Sequence, residues 1–270
     1  MESIKTPYKS VLTIAGSDSG GCAGIQADIK SISACGAYAA SVITATTAQN
    51  TLGVFDIHPI PVAHIEKQLD AVLSDIDFGA IKIGMLHSCE VIESVRKKLG
   101  LFNSKNIVID PVMVATSGDT LITDDAISCL NSFLPQATLI TPNIPEASLM
   151  LGYSIASGDL ENAASTIGKM YRTSVLLKGG HLNDAANVKT DMLYLYEKDK
   201  AIPYTNPWID TKNTHGTGCS LSSGIAAFLS LGYDLETAVK NACEYVNRAI
   251  KLGKNKVLGK GNGPINHFGL

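Results

Sequence analysis

Rhythm decides what this chain can fold into. Short apolar runs rich in β-branched residues alternate with stretches whose apolar residues recur at helical spacing. The runs are Ser10–Ala15, Ala40–Thr47, Ala80–Gly84, Asn106–Pro111, Thr138–Thr141 and Val175–Lys178. Each is too short for a buried helix and too uniformly apolar for a strand with one wet face, so it reads as a strand buried on both sides. Between them, helices are predicted at Ile25–Cys35 (Ile25, Ile29 and Ile32 on one face), Pro61–Leu73, Val91–Leu99, Thr123–Phe133 and Asp159–Tyr171. Met192–Tyr196 and Ile202–Thr205 read as an antiparallel pair, and helices at Thr217–Leu231 and from Asp234 to Leu252 follow. Strand, helix and short connection in strict turn describe an α/β, three-layer, doubly wound fold: a mostly parallel sheet with helices on both faces. No repeat, low-complexity tract or linker interrupts the 270 residues, so residues 1–270 are expected to form one domain.

Composition narrows the partners. The chain is 45% hydrophobic and 17% charged, with a net charge of −3, and its longest basic run is Arg96-Lys97-Lys98. Nucleic acid and anionic membrane surfaces are disfavoured. No stretch reaches the length of a transmembrane helix, and Met1–Ser10 lacks the apolar segment of a signal peptide. Six cysteines show no CxxC spacing and six histidines no HExxH, which points to reduced, cytoplasmic thiols rather than a zinc site.

In such sheets ligands gather at the carboxyl ends of the strands. Those ends carry Gly16-Ser17-Asp18, Gln49-Asn50, Gly84-Met85, Asp110-Pro111, Asn143 with Glu146, and Lys178-Gly179-Gly180. The loop Gly16–Gly24 matches neither GxGxxG nor a Walker loop; it is either a tight strand–helix turn or a close backbone approach to a ligand, with Asp18 offering a carboxylate. Asn143-Ile-Pro-Glu146 fits a capping box and equally a pair of groups around hydrated Mg²⁺, with Asp110 sharing that work or serving a turn. Lys178 ends a buried strand, so it needs solvent or an anion. Gln49 either satisfies backbone or pairs with a ring nitrogen and an amine. Finally, Thr214-His215-Gly216-Thr217-Gly218-Cys219 opens a helix whose first N–H groups have no internal partner. That is either a glycine-rich helix start with a small buried thiol or an anion site, where the positive field would favour thiolate at Cys219. An anion-binding helix start, candidate metal carboxylates and a strand-end lysine together describe phosphoryl transfer, with Cys219 placed as the base.

Ala15–Asp28 resembles the amino-terminal signature of hydroxymethylpyrimidine/phosphomethylpyrimidine kinases, in the ribokinase-like superfamily. Six further blocks resemble theirs in the same order: Thr44–Asn50, Lys82–Met85, Asp110–Met113, Thr141–Glu146, Leu177–His181 and Thr214–Cys219. The likeness runs from about Ser10 to Leu252. It implies ATP- and Mg²⁺-dependent phosphorylation of 4-amino-5-hydroxymethyl-2-methylpyrimidine and then of its monophosphate, in thiamine biosynthesis, by an enzyme that is commonly a homodimer. By the family pattern Gly216, Thr217, Gly218 and Cys219 form the anion hole, and Cys219 deprotonates the substrate. Gln49 pairs with the aminopyrimidine, and Gly16, Asp18, Ala23, Met85, Val112 and Met113 line the ring pocket. Asp110, Asn143 and Glu146 organise Mg²⁺ through water, while Lys178, Thr116 and Thr211 serve ATP.

One position departs from the family: Cys22 stands where glycine is usual, which leaves the path of that loop and a second thiol near the substrate as open questions. The nearest rival is a pyridoxal kinase of the same subfamily. Members acting mainly on pyridoxal carry a further lid cysteine, where this chain has Ala115. A non-catalytic vitamin-binding protein is a second alternative, but a mere binder has no use for Cys219, Glu146 and Lys178 together.

Overall fold

Nine strands in the order β3-β2-β1-β4-β5-β6-β7-β8-β9 make one sheet in the computed structural model, which describes residues 6–113, 124–156, 158–180 and 188–269. The strands are β1 (Ser10–Asp18), β2 (Tyr38–Asn50), β3 (Gly53–Pro59), β4 (Ala80–Ile83), β5 (Ile107–Ile109), β6 (Leu139–Ile140), β7 (Ser174–Leu177), β8 (Val188–Leu195) and β9 (Lys200–Pro207). From β2 to β7 every pairing is parallel; β3, β8 and β9 join antiparallel at the two edges. The helices are α1 (Gly24–Ala34), α2 (Val62–Leu73), α3 (Cys89–Leu101), α4 (Asp124–Phe133), α5 (Ile144–Leu151), α6 (Leu160–Tyr171), α7 (Thr217–Ser230) and α8 (Leu235–Gly253).

Successive side chains of a strand point to opposite faces, and that alternation divides the core in two. Leu12, Ile14, Ile81, Ile83, Ile107, Ile109, Val175 and Leu177 pack with residues of α2 to α6. Val11, Ala80, Val108, Leu139 and Leu176 pack with Ile32 of α1 and the apolar residues of α7 and α8. The doubly wound expectation is therefore met. Each fully buried Leu or Ile in these layers contributes about 1.5–3 kcal/mol. Helix α7 lies close over the sheet because it is built from small residues: Ser220, Ser222 and Ser223 are fully buried.

Three features differ from the sequence reading. Strand β3 was not foreseen, because its mostly exposed residues carry no buried run. Helix α5 was not predicted as an element; Asn143-Ile-Pro-Glu146 caps and opens it, in keeping with the capping-box reading of that stretch. The cysteines are not all free: Cys89, at the start of α3, is bonded to Cys129 of α4, with Cα atoms 5.4 Å apart. These residues lie 40 positions apart, and the packing of α3 against α4 brings them face to face, which spacing alone does not reveal. Cys22, Cys35, Cys219 and Cys243 are free.

Candidate active site

Because β1, β2, β4, β5, β6 and β7 are parallel, their carboxyl ends share one rim, and the start of α7 faces it. Gly216 precedes α7 with φ +85°, a left-handed conformation that favours glycine. A Cβ there would also lie 1.9 Å from the Cys22 carbonyl oxygen, so the approach of the two loops depends on its absence. A Cβ on Gly218 would stand 3.4 Å from Lys178 Nζ and 3.6 Å from Asp110 Oδ2. The helix start thus lies against a cation–carboxylate pair drawn from two other strand ends: Lys178 Nζ is 2.8 Å from Asp110 Oδ1.

The pair is part of a larger charge cluster. Asp110 Oδ1 also accepts from Thr141 Oγ1, and Ser222 Oγ approaches Oδ2 at 3.5 Å. Glu146 is buried near both members of the pair, and burial, opposed by Lys178 and assisted by Asp110, pushes its carboxyl up to about 7. Burial draws the Lys178 pKa down, but Asp110 and Glu146 more than compensate and leave it raised. Two carboxylates facing one lysine leave room in charge for a cation.

Whether these groups suit Mg²⁺ follows from their partners. Asn143 Oδ1 accepts the Glu146 N–H at 2.9 Å while Glu146 Oε2 accepts the Asn143 N–H at 2.8 Å, so the capping box is formed. Glu146 Oε1 is 3.4 Å from the Met113 N–H. Among the described residues no three His, Cys, Asp or Glu side chains converge as a direct ligand set. The donor chemistry fits an ion that keeps its water and meets Asp110 and Glu146 through it.

Cys219 is half-buried in the first turn of α7, and its thiol is free. The expected lowering of its pKa is corrected: burial pushes the thiol up to about 11, Lys82 pulls it down, and Asp28 and Asp110 push it up again. Desolvation outweighs the positive end of the helix.

The residues expected on the substrate side differ in what they do. Gly16 lies where β1 slips register against β2, and a Cβ on it would fall 2.6 Å from Met85 Cε, so the methionine covers this strand end. Asp18 binds its own loop rather than offering a free carboxylate. It accepts the N–H groups of Gly20 (2.7 Å), Cys22 (2.9 Å) and Ala23 (2.8 Å). Cys22 is fully buried beneath that loop, which settles the path the departure left open. Val112 is half-buried, and Met113 is packed in the core beside Glu146. The Thr211 hydroxyl donates to the Lys254 carbonyl at 3.1 Å and accepts the Asn213 N–H at 3.1 Å, ahead of the α7 start. Thr116 and Ala115 lie outside the described residues.

Two residues were missed. The Nε2 of His215 lies 3.0 Å from the amide nitrogen of Gln49 and 3.8 Å from Asp18 Oδ2, joining the helix start to the end of β2. Burial, partly offset by Asp18, lowers its pKa. It was visible in Thr214-His215-Gly216 but was read only as part of a block. Lys82 is the other, a lysine inside an apolar run that is wholly buried.

Known proteins resemble the chain along most of its length. The phosphomethylpyrimidine kinase family matches residues 18–266. The hydroxymethylpyrimidine/phosphomethylpyrimidine kinase of Haemophilus influenzae is 44% identical over 263 residues, covering 96% of this chain and 97% of its own. The bifunctional thiamine biosynthesis protein ThiED of Geobacter sulfurreducens is 45% identical, and the chain spans 53% of its length. Among solved structures, a phosphomethylpyrimidine kinase of Clostridium difficile superposes with a TM-score of 0.78 at 42% identity, covering 89% of this chain and 99% of that one. An ADP complex of Bacillus subtilis pyridoxal kinase gives 0.88 at 33%, covering 97% and 98%. With a strand-end Lys178–Asp110 pair against a glycine-rich helix start, and agreement along nearly the whole length, the chain belongs to the phosphomethylpyrimidine kinase family.

Proposed function

We propose that the protein transfers the γ-phosphoryl group of ATP to 4-amino-5-hydroxymethyl-2-methylpyrimidine and then to its monophosphate, supplying the pyrimidine diphosphate of thiamine biosynthesis. The observation that carries this reading is the seating of Gly216–Cys219 against Lys178 and Asp110, at the rim where Gln49, Gly16 and Met85 also end. Transfer of this kind needs positioning, charge neutralisation and one base. The backbone N–H groups of Gly216 to Cys219 would receive the transferring phosphoryl group, and Cys219 would take the hydroxymethyl proton. Gln49 would pair with the aminopyrimidine, with Ala23, Val112 and Asp18's loop closing around the ring. Lys178, with Thr116 and Thr211, would steady the nucleotide. Asp110, Asn143 and Glu146 would hold Mg²⁺ through water, where it would neutralise phosphate charge. We place the enzyme in the cytoplasm, as a homodimer of single-domain chains; no helix among the described residues is long and apolar enough to cross a membrane.

Pyridoxal, another planar heteroaromatic alcohol, is the second reading, favoured by the close superposition on a pyridoxal kinase. ADP release measured side by side with the hydroxymethylpyrimidine, its monophosphate and pyridoxal decides between them. Both pyrimidines are expected to be turned over faster than pyridoxal; turnover of pyridoxal with neither pyrimidine accepted would reverse the assignment.

A further inference from the structure

Four elements converge on one carboxylate beneath the start of α7. Thr13 of β1 and Lys82 of β4 are register partners, and the alternation that turns Leu12, Ile14, Ile81 and Ile83 towards α2–α6 turns these two towards α1 and α7. There Asp28 of α1 receives Lys82 Nζ at 2.8 Å and Thr13 Oγ1 at 2.6 Å on Oδ2, and Ser223 Oγ of α7 at 2.8 Å on Oδ1. All four residues are 0% exposed. The ammonium has room because position 84 is glycine, where a Cβ would lie 2.8 Å from Nζ.

One helical turn towards the rim the same two helices meet again, where a Cβ on Gly216, just ahead of α7, would lie 3.4 Å from the Cα of Ala23, just ahead of α1. Gly24 and Asp28, like Cys219 and Ser223, are four residues apart, so the ion pair is the rung directly below the thiol. The charged groups facing the thiol are Lys82 from β4, Asp28 from α1 and Asp110 beyond β5. Lys178, beyond β7, lies against the neighbouring Gly218, and Glu146 of α5 faces Lys178 and Asp110. An apolar pair of equal volume would pack this interior as well as a dehydrated ion pair does, so packing alone gives the charge no purpose.

We propose that Lys82 is a positioning residue for phosphoryl transfer: its buried ammonium, aimed by Asp28, favours the thiolate form of Cys219, which takes the proton of the acceptor hydroxyl. The inference rests on Cys219 being the base. In the step, the hydroxyl proton passes to Sγ, the oxygen's electron pair forms the bond to the γ-phosphorus, and the bond to the ADP oxygen breaks. Asp28 keeps the lysine charged and oriented.

Iodoacetamide alkylation of Cys219, followed by mapping its peptide, reads thiolate directly and without turnover. The proteins compared are the natural chain, Lys82→Met, and Lys82→Met/Asp28→Asn, which replaces the pair by neutral groups of similar shape and leaves no orphan charge. At a fixed pH near 8.5 the alkylation rate is expected to fall about tenfold in Lys82→Met and by less in the double variant. The rising limb of kcat against pH should move to higher pH in the same order, with the KM for ATP unchanged. If Lys82→Met does not fold, the double variant decides. An unchanged alkylation rate in a folded variant, or a kcat lowered equally at every pH, overturns the role of Lys82. Full turnover by Cys219→Ala would instead remove the base itself, and the proposal with it.

Discussion

At Cys219 two physical effects oppose each other. The first turn of α7 offers unpaired N–H groups and a positive field, while the half-buried position denies the thiolate its water. Burial wins, with the thiol at about 11, so the thiolate is scarce at neutral pH and turnover should climb as pH rises. Replacing Cys219 by Ala deletes one sulfur at a helix start whose fold is set by Gly216 and by the fully buried Ser220. Substrate binding in that variant should persist while kcat falls on the order of 10²–10⁴-fold. Isothermal titration of the pyrimidine beside steady-state turnover checks both halves, and unimpaired kcat would take Cys219 out of the chemistry. Sequence sufficed to single out this residue, since two glycines just ahead of a thiol at a helix start are visible in one dimension. The sign of its pKa shift was not, because it depends first on how deeply the folded chain buries the thiol, with Lys82, Asp28 and Asp110 from elsewhere in the chain acting second.

Helix α5 poses the corresponding question for an element. Its capping box satisfies two N–H groups at a helix start, yet the carboxylate that completes it is also turned towards Asp110 and Lys178. Glutamine at position 146 keeps an acceptor for the cap and removes the charge. Glu146→Gln should therefore leave the thermal midpoint nearly unchanged, whereas Mg²⁺-supported turnover falls on the order of 10–100-fold. A large drop in melting temperature with the Mg²⁺ dependence intact would confine Glu146 to capping. Elements with a strong periodic signal were legible: predicted α1, α2, α6, α7 and α8 agree with the structure to within a few residues at each end. Those that tertiary contacts create were not. Strand β3 exists because β2 offers it an edge, and α5, eight residues long with Pro145 in its first turn, is too short to show a helical period.

For the whole molecule the decisive contacts join distant parts of the chain. After α8 the backbone returns past the site. Asn262 N–H bonds the Thr51 carbonyl beyond Gln49, and Gly263 accepts the N–H of His215. His267 Nε2 then lies 3.2 Å from Ser220 Oγ of α7, and the Tyr245 hydroxyl donates to the His267 carbonyl. A tail that bonds both the loop after β2 and the helix α7 makes their spacing a property of the tertiary fold, which no local pattern in the sequence encodes. Its buried histidine supplies a handle on that closure. Burial, with Lys30 adding to it, lowers the His267 pKa from the ordinary 6.5 to about 4. As pH falls through 6.5 the unfolded chain takes up a proton that the folded chain refuses until about 4. The contribution to stability is therefore complete above pH 6.5 and is lost across that window, by at most on the order of 3 kcal/mol. Thermal midpoints recorded from pH 7 down to 4 should fall more steeply for the natural protein than for His267→Gln, which carries no titrating ring. Parallel curves would assign the acid sensitivity to other groups. A flattened curve in the variant would identify the proton that opens the tail from α7, and with it the condition under which Thr51 and Ser220 are no longer held to one frame.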